Sequence, residues 1–141
     1  FDDAVAAVAR AAQPWPFAVD PLQLARLAMR ALPDADAWVA LHSNPGLEHV
    51  FVDPQTGQLT GIIDFGDAYF SHPALDLRRW PRPIDRAAVH AGYCSEAEMS
   101  ESFNQTWHMA CVLTDMLAIA QDLECRAAGL VELEELVEQL H

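Results

Sequence analysis

The first third of the chain has apolar residues at helical spacing, interrupted by prolines. Residues 3–12 are alanine-rich and predict a first helix, which the prolines at positions 14 and 16 end. Asp20 is suited to an N-cap and Pro21 to the first helical position, so a second helix is predicted to begin there. Pro33 ends that helix. Its predicted apolar side consists of Leu22, Leu24, Leu27, Ala28 and Leu32.

The next apolar positions alternate with the period of two that is typical of strands. Residues 37–41 are compatible with a short strand, and residues 49–64 predict a β-hairpin around a Pro-Gln-Thr-Gly turn. The predicted register pairs Asp53 with Thr60, Val52 with Gly61, Val50 with Ile63, and His49 with Asp64. Opposed side chains in such a pair have Cβ atoms about 4.5–5.5 Å apart. His49 and Asp64 are therefore predicted to meet at the open end of the hairpin.

After Pro73 the pattern is helical to the end of the chain. Ser95 and Glu98 have the spacing of a capping box, and Gly129 is predicted to separate the last two helices. The predicted helices are Pro83–Tyr93, a stretch from Ser95 to about Ala128, and Leu130–Leu140. The predicted fold class is α+β: one domain, mainly α-helical, with a short β-hairpin.

Composition and charge narrow the classes of function. The chain has 141 residues, 52% of them hydrophobic, which excludes a disordered chain. Its formal net charge of −13 argues against a nucleic-acid partner and against docking on anionic membranes. The three cysteines, Cys94, Cys111 and Cys125, lack metal-site spacing and are interpreted as reduced thiols of a cytoplasmic protein. All eight basic residues are arginine, so any mechanism that needs a lysine must obtain it from outside this chain.

The polar residues with potential chemistry lie between positions 42 and 76. They are His42, Asn44, His49, Asp64, Asp67, His72 and Asp76. A carboxylate beside a neutral imidazole, reached by a polar loop, can hold a divalent cation. The predicted pairing of His49 with Asp64 makes this pair the candidate metal site.

These residues occur in an order that resembles one enzyme family. Residues 35–80 contain, in sequence, His42-Ser43-Asn44, His49, Asp64-Phe65-Gly66-Asp67 and Pro73-Ala74-Leu75-Asp76. This resembles the C-terminal lobe of the aminoglycoside phosphotransferase family, relatives of choline kinases and protein kinases. The catalytic loop of that family reads His-Gly-Asp or His-Ser-Asp, and its hairpin leads to Asp-Phe-Gly or Asp-Trp-Gly. The gentamicin-type aminoglycoside kinases and the macrolide kinases carry His at the position of His49, where most members carry Asn.

The resemblance implies the cofactors and the residues that hold them. Asp64 would hold Mg²⁺ on the phosphates of ATP or GTP, with His49 as the second ligand. Asp67 would form a hydrogen bond to the loop backbone. The implied activity is transfer of the nucleotide's γ-phosphate to a hydroxyl of a small molecule.

The catalytic loop departs from the family at its central position. Residue 44 would accept the proton of the substrate hydroxyl or orient that hydroxyl, and His42 and Asp76 would brace the loop from behind. Asn44 stands where the family has Asp, and an amide can orient a hydroxyl but cannot take its proton. Pro45 also restricts Asn44 to extended conformations.

A second departure concerns the rest of the enzyme. The sequence contains neither a glycine-rich nucleotide loop nor the phosphate-binding lysine, so residues 1–141 are interpreted as the C-terminal lobe alone. Because the chain begins with Phe1, we expect its natural start upstream and interpret the chain as a fragment or truncated gene product. The missing N-terminal lobe is the expected partner.

Three functions remain open at this point. The first is a small-molecule kinase lobe that acts on an antibiotic-like acceptor: an aminoglycoside, attracted by acidic residues such as Asp115, Asp122 and Glu124, a macrolide or a small alcohol. The second is a pseudokinase-like binding module that keeps the fold without the base. The third is a free-standing metal hydrolase that uses His49 and Asp64.

Overall fold

The computed structural model of the protein describes residues 2–11, 15–30, 36–96, 98–121 and 125–139. Within these ranges the chain forms six helices and four short strands, which agrees with the α+β prediction. The helices are α1 (Asp2–Arg10), α2 (Pro21–Arg30), α3 (Ala74–Leu77), α4 (Pro83–Cys94), α5 (Glu101–Ala120) and α6 (Arg126–Gln139). The strands are β1 (Val39–Leu41), β2 (Val50–Val52), β3 (Leu59–Ile62) and β4 (Tyr69–Ser71).

Helix α5 forms the centre of the core. Twelve of its twenty residues are buried, including Met116 and Val112. It is contacted by α1, α2, α3 and α6. A helix that is apolar on most of its circumference must be covered on most sides, and this explains why the other helices pack around it.

The N-terminal helices follow the prediction. Asp20 is the N-cap of α2, since its Oδ1 accepts hydrogen bonds from the backbone N–H groups of Leu22 and Gln23 at 2.9 and 3.1 Å. Leu24 and Ala28, from the predicted apolar side, are fully buried. Leu32 and Pro33 lie outside the described residues.

The hairpin forms, but with a different register from the predicted one. Val50 pairs with Ile62, Phe51 with Gly61, and Val52 with Leu59, with an irregularity between the last two pairs. The predicted partner of Asp53, Thr60, is wrong because the N–H of Asp53 donates instead to the carbonyl of Gln58 at 2.8 Å. The turn closes more tightly than assumed, and the irregularity takes up the additional residue on β3.

Strand β4 was not predicted from the sequence. It pairs with β1 in an antiparallel two-stranded sheet, with Ala40 opposite Phe70 and Leu41 opposite Tyr69. Its three residues are too few to give a period. The pairing matters for the site because it carries the chain directly from β4 to α3, behind the loop that follows β1.

Two expectations about the C-terminal helices are corrected. Ser95 belongs to the end of α4, where its N–H donates to Ala91 O, and the N-cap of α5 is Ser100, whose Oγ accepts from Phe103 N–H at 3.0 Å. Gly129 lies inside α6 rather than between helices. A Cβ at position 129 would lie 3.5 Å from the Oδ1 of Asp115, so this glycine allows α6 to approach α5 closely.

Candidate active site

The loop after β1 is anchored to α3 by Asp76. One carboxylate oxygen accepts from the backbone N–H of His42 at 2.7 Å, and the other accepts from the N–H of Ser43 at 2.9 Å. Hydrogen bonds to an ionised acceptor are stronger than neutral ones. The beginning of the loop is therefore fixed to α3 from behind, through the two residues that the sequence assigns to a bracing role.

His42 joins this loop to the end of the hairpin. Its Nε2 lies 2.6 Å from the carbonyl oxygen of Ile63. Because a carbonyl only accepts, Nε2 carries the hydrogen, and Nδ1 is left to accept from the N–H of Asn44 at 3.3 Å. The ring is buried and packs against Phe65 with ring centroids 4.4 Å apart. His42 thus sets the position of the Asp-Phe-Gly segment relative to Asn44.

His49 and Asp64 face each other at the open end of the hairpin. The Nε2 of His49 lies 3.5 Å from the Oδ2 of Asp64, although the observed register does not pair the two residues as predicted. Asp64 follows β3 with a positive φ of 65°. The Nδ1 of His49 is 2.8 Å from the carbonyl oxygen of Asn44, so Nδ1–H donates to it and the ring is oriented with Nε2 toward Asp64.

The His49–Asp64 pair consists of a neutral imidazole and a carboxylate, two side chains that could together hold a divalent cation. The described residues contain no group of three or more His, Cys, Asp or Glu side chains arranged for a metal. Mg²⁺ typically takes one or two protein ligands and completes its shell with water and substrate phosphates.

Asn44 lies beside the His49–Asp64 pair with an exposed side chain. Its backbone is held on both sides, since its N–H donates to His42 and its carbonyl accepts from His49. The side-chain oxygen lies 3.8 Å from the position that a Cβ on Gly46 would occupy. An exposed amide that is fixed by its backbone can orient a hydroxyl, but it has no carboxylate to accept a proton.

Two other polar residues of this region lie away from that geometry. His72 is buried, accepts from Ala74 N–H through Nδ1 and contacts Asp36 through Nε2, each at 3.3 Å, so it links α3 to the segment before β1. The pKa of Asp36 is lowered, mainly by a hydrogen bond from Ser100. Asp67 is exposed and forms no hydrogen bond to the loop backbone within the described residues, contrary to expectation.

A comparison with known protein families shows which family the chain belongs to. The sequence profile of the phosphotransferase enzyme family matches residues 2–107, three quarters of the chain. The chain belongs to this family. The resemblance to the aminoglycoside phosphotransferases is thereby confirmed. No curated protein and no solved structure matches the chain.

Family membership gives this site a phosphotransferase-like context. The matched segment includes every candidate residue between His42 and Asp76 and ends inside α5. Phosphotransferases of this family generally use ATP and Mg²⁺.

Among the described residues, no helix has the length and apolar character that crossing a bilayer requires.

The chain also contains a buried cluster of charged side chains that the sequence did not predict. Arg86 on α4 is fully buried and donates through one nitrogen to Asp115 on α5 and to Glu132 on α6. It also donates to the carbonyl oxygens of Trp80 and Pro81, both at 3.1 Å. These residues are far apart in sequence, and no local pattern marks them. The cluster links three helices to the segment that precedes α4.

Asp115 is therefore not a surface residue that attracts a cationic acceptor. It is fully buried, and its Oδ2 has no hydrogen-bond partner within the described residues. Burial raises the pKa of Asp115 to about 8, Glu132 adds to this rise, and Arg86 opposes it. The other two acidic candidates, Asp122 and Glu124, lie outside the described residues.

A large cavity lies between the loop region and the C-terminal helices. Its volume is about 1190 Å³, and its walls are mainly apolar, from Leu47 in the loop, the start of α4 and one face of α6. Two carboxylates, Glu132 and Glu135, also line it. The one guanidinium among its lining residues, that of Arg82, is paired with Asp85. Glu132 is paired with Arg86, so Glu135 is the lining carboxylate that has no ion pair within the described residues.

Proposed function

We propose that the chain is the C-terminal lobe of an aminoglycoside phosphotransferase-like kinase, which transfers the γ-phosphate of ATP or GTP to a hydroxyl of a small molecule. The observation that carries the proposal is the His49–Asp64 pair beside the Asn44 loop. Such chemistry depends mainly on positioning and on neutralising phosphate charge. The proposal is supported by the imidazole and carboxylate that lie 3.5 Å apart and by the backbone of Asn44, which His49 holds beside them.

Each residue has one task in this proposal. Asp64 and His49 would hold Mg²⁺, which when bound neutralises charge on the nucleotide phosphates. Asn44 orients the acceptor hydroxyl through its side-chain oxygen, and the proton leaves to solvent or to phosphate because the amide cannot take it. His42 and Asp76 keep Asn44 and Asp64 at a fixed separation.

We propose further that an N-terminal nucleotide-binding lobe completes the site. The chain has no lysine, and the strands expose large apolar side chains in unusual number. Trp38 and Phe70 are 67% and 69% exposed. Other exposed apolar residues of this surface are Phe51, Val52, Leu59, Ile63 and Phe65. A large exposed apolar surface is typical of an interface, and a packed lobe would cover these side chains.

The cavity beside Leu47 is the proposed acceptor site. Its apolar walls suit a large apolar body, and the carboxylate of Glu135, which has no ion pair within the described residues, suits an amine on that body. Between the two antibiotic classes, these features favour a macrolide-like acceptor over the more uniformly polar aminoglycosides. The proposed location is the cytoplasm, which is compatible with three free cysteines.

Asn44 also supports a second candidate function, a pseudokinase-like binding module. Such a protein would bind the nucleotide and the acceptor without transferring phosphate. General-base assistance typically contributes 10²–10⁴-fold, so losing the base slows phosphate transfer without abolishing it. A slow kinase and a binding module would therefore differ only in the rate of transfer.

The test is phosphate transfer from ATP and GTP to a panel of macrolides and aminoglycosides. We expect no transfer by the isolated chain, because its sequence contains neither a glycine-rich loop nor a lysine to position the phosphates. Such positioning can be worth about 7–11 kcal/mol. With the N-terminal lobe of a family member fused to it, Asn44→Asp should raise turnover by about 10²–10⁴-fold.

Gln55→Glu is the matched control, since it adds the same charge at the exposed hairpin turn. A fused parent that binds both ligands but transfers nothing until Asn44→Asp is introduced would favour the binding module. Robust transfer by the isolated chain would contradict the need for a second lobe. No gain from Asn44→Asp would show that position 44 is not the base position.

A further inference from the structure

The backbone of Ser43 is held at both of its polar groups by one short segment. Its N–H donates to Asp76 at 2.9 Å, and its carbonyl oxygen accepts from the Nε of Arg79 at 2.6 Å. Asp76 belongs to α3, and Arg79 lies just after it. The two contacts lie on opposite sides of the Ser43 Cα and therefore determine how the chain turns there.

Ser43 has a backbone conformation that a side chain disfavours. Its φ is 78°, in the left-handed region, where Cβ crowds the following carbonyl. A residue in this conformation persists only when its surroundings hold it. Asp76 alone fixes the N–H side, so the carbonyl side depends on Arg79.

The conformation of Ser43 sets the direction in which the next residue points. Asn44 follows it directly, and a Cβ on Gly46 would lie 3.7 Å from the backbone oxygen of Arg79 and 3.8 Å from Asn44 Oδ1. The backbone after α3 and the side chain of Asn44 are therefore both close to Gly46, in the loop that the Arg79 side chain contacts at Ser43. The Arg79 side chain itself is exposed, so its contribution to the core is small.

We infer that Arg79 is a positioning residue that keeps Ser43 in its left-handed conformation and thereby orients Asn44. The role of Asn44 toward an acceptor rests on the proposed function, whereas the clamp on Ser43 does not. Without Arg79, Ser43 would relax toward ordinary backbone conformations, and the loop would open more often. With glycine at position 43 the left-handed conformation has no steric cost, so the need for Arg79 would fall.

The experiment is amide hydrogen exchange by NMR on the full 15N-labelled chain. We expect Arg79→Ala to accelerate exchange of the Ser43 and Asn44 amides about tenfold, the effect of losing one hydrogen bond. The intraresidue HN–Hα cross-peak of Ser43, which is strong when φ is positive, should weaken. Arg82→Ala is the matched control, because that exposed arginine is paired with Asp85 and not with the loop; it should change neither signal.

Glycine at position 43 separates the clamp from a general loosening of the loop. In the Ser43→Gly background, Arg79→Ala should change exchange at residues 43 and 44 by less than about twofold. An unchanged exchange rate in Arg79→Ala, or an equal acceleration in both backgrounds, would overturn the inference. Should Arg79→Ala fail to fold, Arg79→Met, which keeps the aliphatic stem but has no N–H donor, carries the same expectations.

This result is independent of the phosphate-transfer test. Failure of the exchange experiment removes Arg79 from the mechanism and leaves the proposed kinase function standing. Failure of Asn44→Asp to raise turnover removes the proposed function and leaves the clamp on Ser43 intact.

Discussion

Helix α5 and the hairpin β2–β3 differ in where their apolar residues lie. Twelve of the twenty residues of α5 are buried among the other helices, whereas none of the seven residues in the two hairpin strands is fully buried. The apolar residues of the helical half are thus buried by one another. In the hairpin half, the apolar side chains and the candidate site both lie at the surface. This difference indicates that the helices carry the stability of the chain, while the hairpin depends on a further surface for its function.

The two halves also hold their charges differently. The Arg86–Asp115–Glu132 cluster is buried between helices, and the His49–Asp64 pair is at the surface, with the side chain of Asp64 66% exposed. Buried ion pairs are costly to break, whereas exposed pairs contribute little to stability. Substitutions in the buried cluster should therefore mainly lower stability, whereas substitutions at the His49–Asp64 pair should mainly weaken binding.

The largest expected effect on stability is that of Arg86→Ala. Removing the guanidinium leaves the buried Asp115 and the partly buried Glu132 without their shared hydrogen-bond donor, and this should lower the free energy of unfolding by about 3–5 kcal/mol. Urea denaturation of the isolated chain measures it. Arg82→Ala, which breaks the exposed pair with Asp85, should leave the denaturation midpoint unchanged. Equal effects of the two substitutions would show that the cluster does not stabilise the helices.

The second prediction concerns pH. Asp115 has a pKa of about 8 in the folded chain and 3.8 as a free side chain, so the folded state binds more protons between these values. Protonated Asp115 therefore favours the folded state at low pH, and the free energy of unfolding falls as the pH rises from about 4 to about 8. The groups that face it are Arg86, Glu132 and Cys111.

Asp115→Asn should remove this dependence. Between about pH 5 and pH 7, the unfolding free energies of parent and variant should differ in slope by up to about 1.4 kcal/mol per pH unit, the value for one proton. Denaturation curves at several pH values provide the measurement. Parallel slopes would mean that Asp115 is ionised throughout and that Arg86 fully compensates its burial.

A smaller effect is expected at the start of α5. Ser100→Ala removes the cap that accepts from Phe103 N–H and should lower the unfolding free energy by about 1 kcal/mol. Ser95→Ala is the matched control, because the hydroxyl of Ser95 donates to a carbonyl at the end of α4 and caps no helix start. Thermal denaturation of both variants distinguishes them. A larger loss from Ser95→Ala would restore the capping box that the sequence suggested.

Local signals in the sequence predicted the parts of the fold that depend on neighbouring residues. Asp20 and Pro21 marked the start of α2, and the proline-glycine turn marked the hairpin, since these residues act on the backbone within a few positions. The same signals misplaced the start of α5, because Ser95 and Ser100 both suit a cap and only packing decides between them. They also misread Gly129, whose role is to admit α6 against Asp115.

The site was predictable to a similar extent. The motifs between His42 and Asp76 indicated which residues meet, and His49 reaches Asp64 even though the strand register was one residue off. The Arg79 contact and the buried cluster could not be predicted. Each joins residues at least 29 positions apart through side-chain geometry that no periodicity encodes.

The central claim is that the exposed His49–Asp64 pair binds a metal–nucleotide complex, and titration calorimetry with Mg²⁺·ATP tests it most directly. The protein is the chain fused to a family N-terminal lobe. Asp64→Asn should weaken binding at least about tenfold and His49→Gln should weaken it less, because Mg²⁺ prefers a charged oxygen ligand to imidazole. Asp67→Asn, at a nearby exposed carboxylate, should have no effect on binding, and neither Asp67→Asn nor Asp64→Asn should alter thermal stability. Equal affinity of the parent and Asp64→Asn would contradict the account.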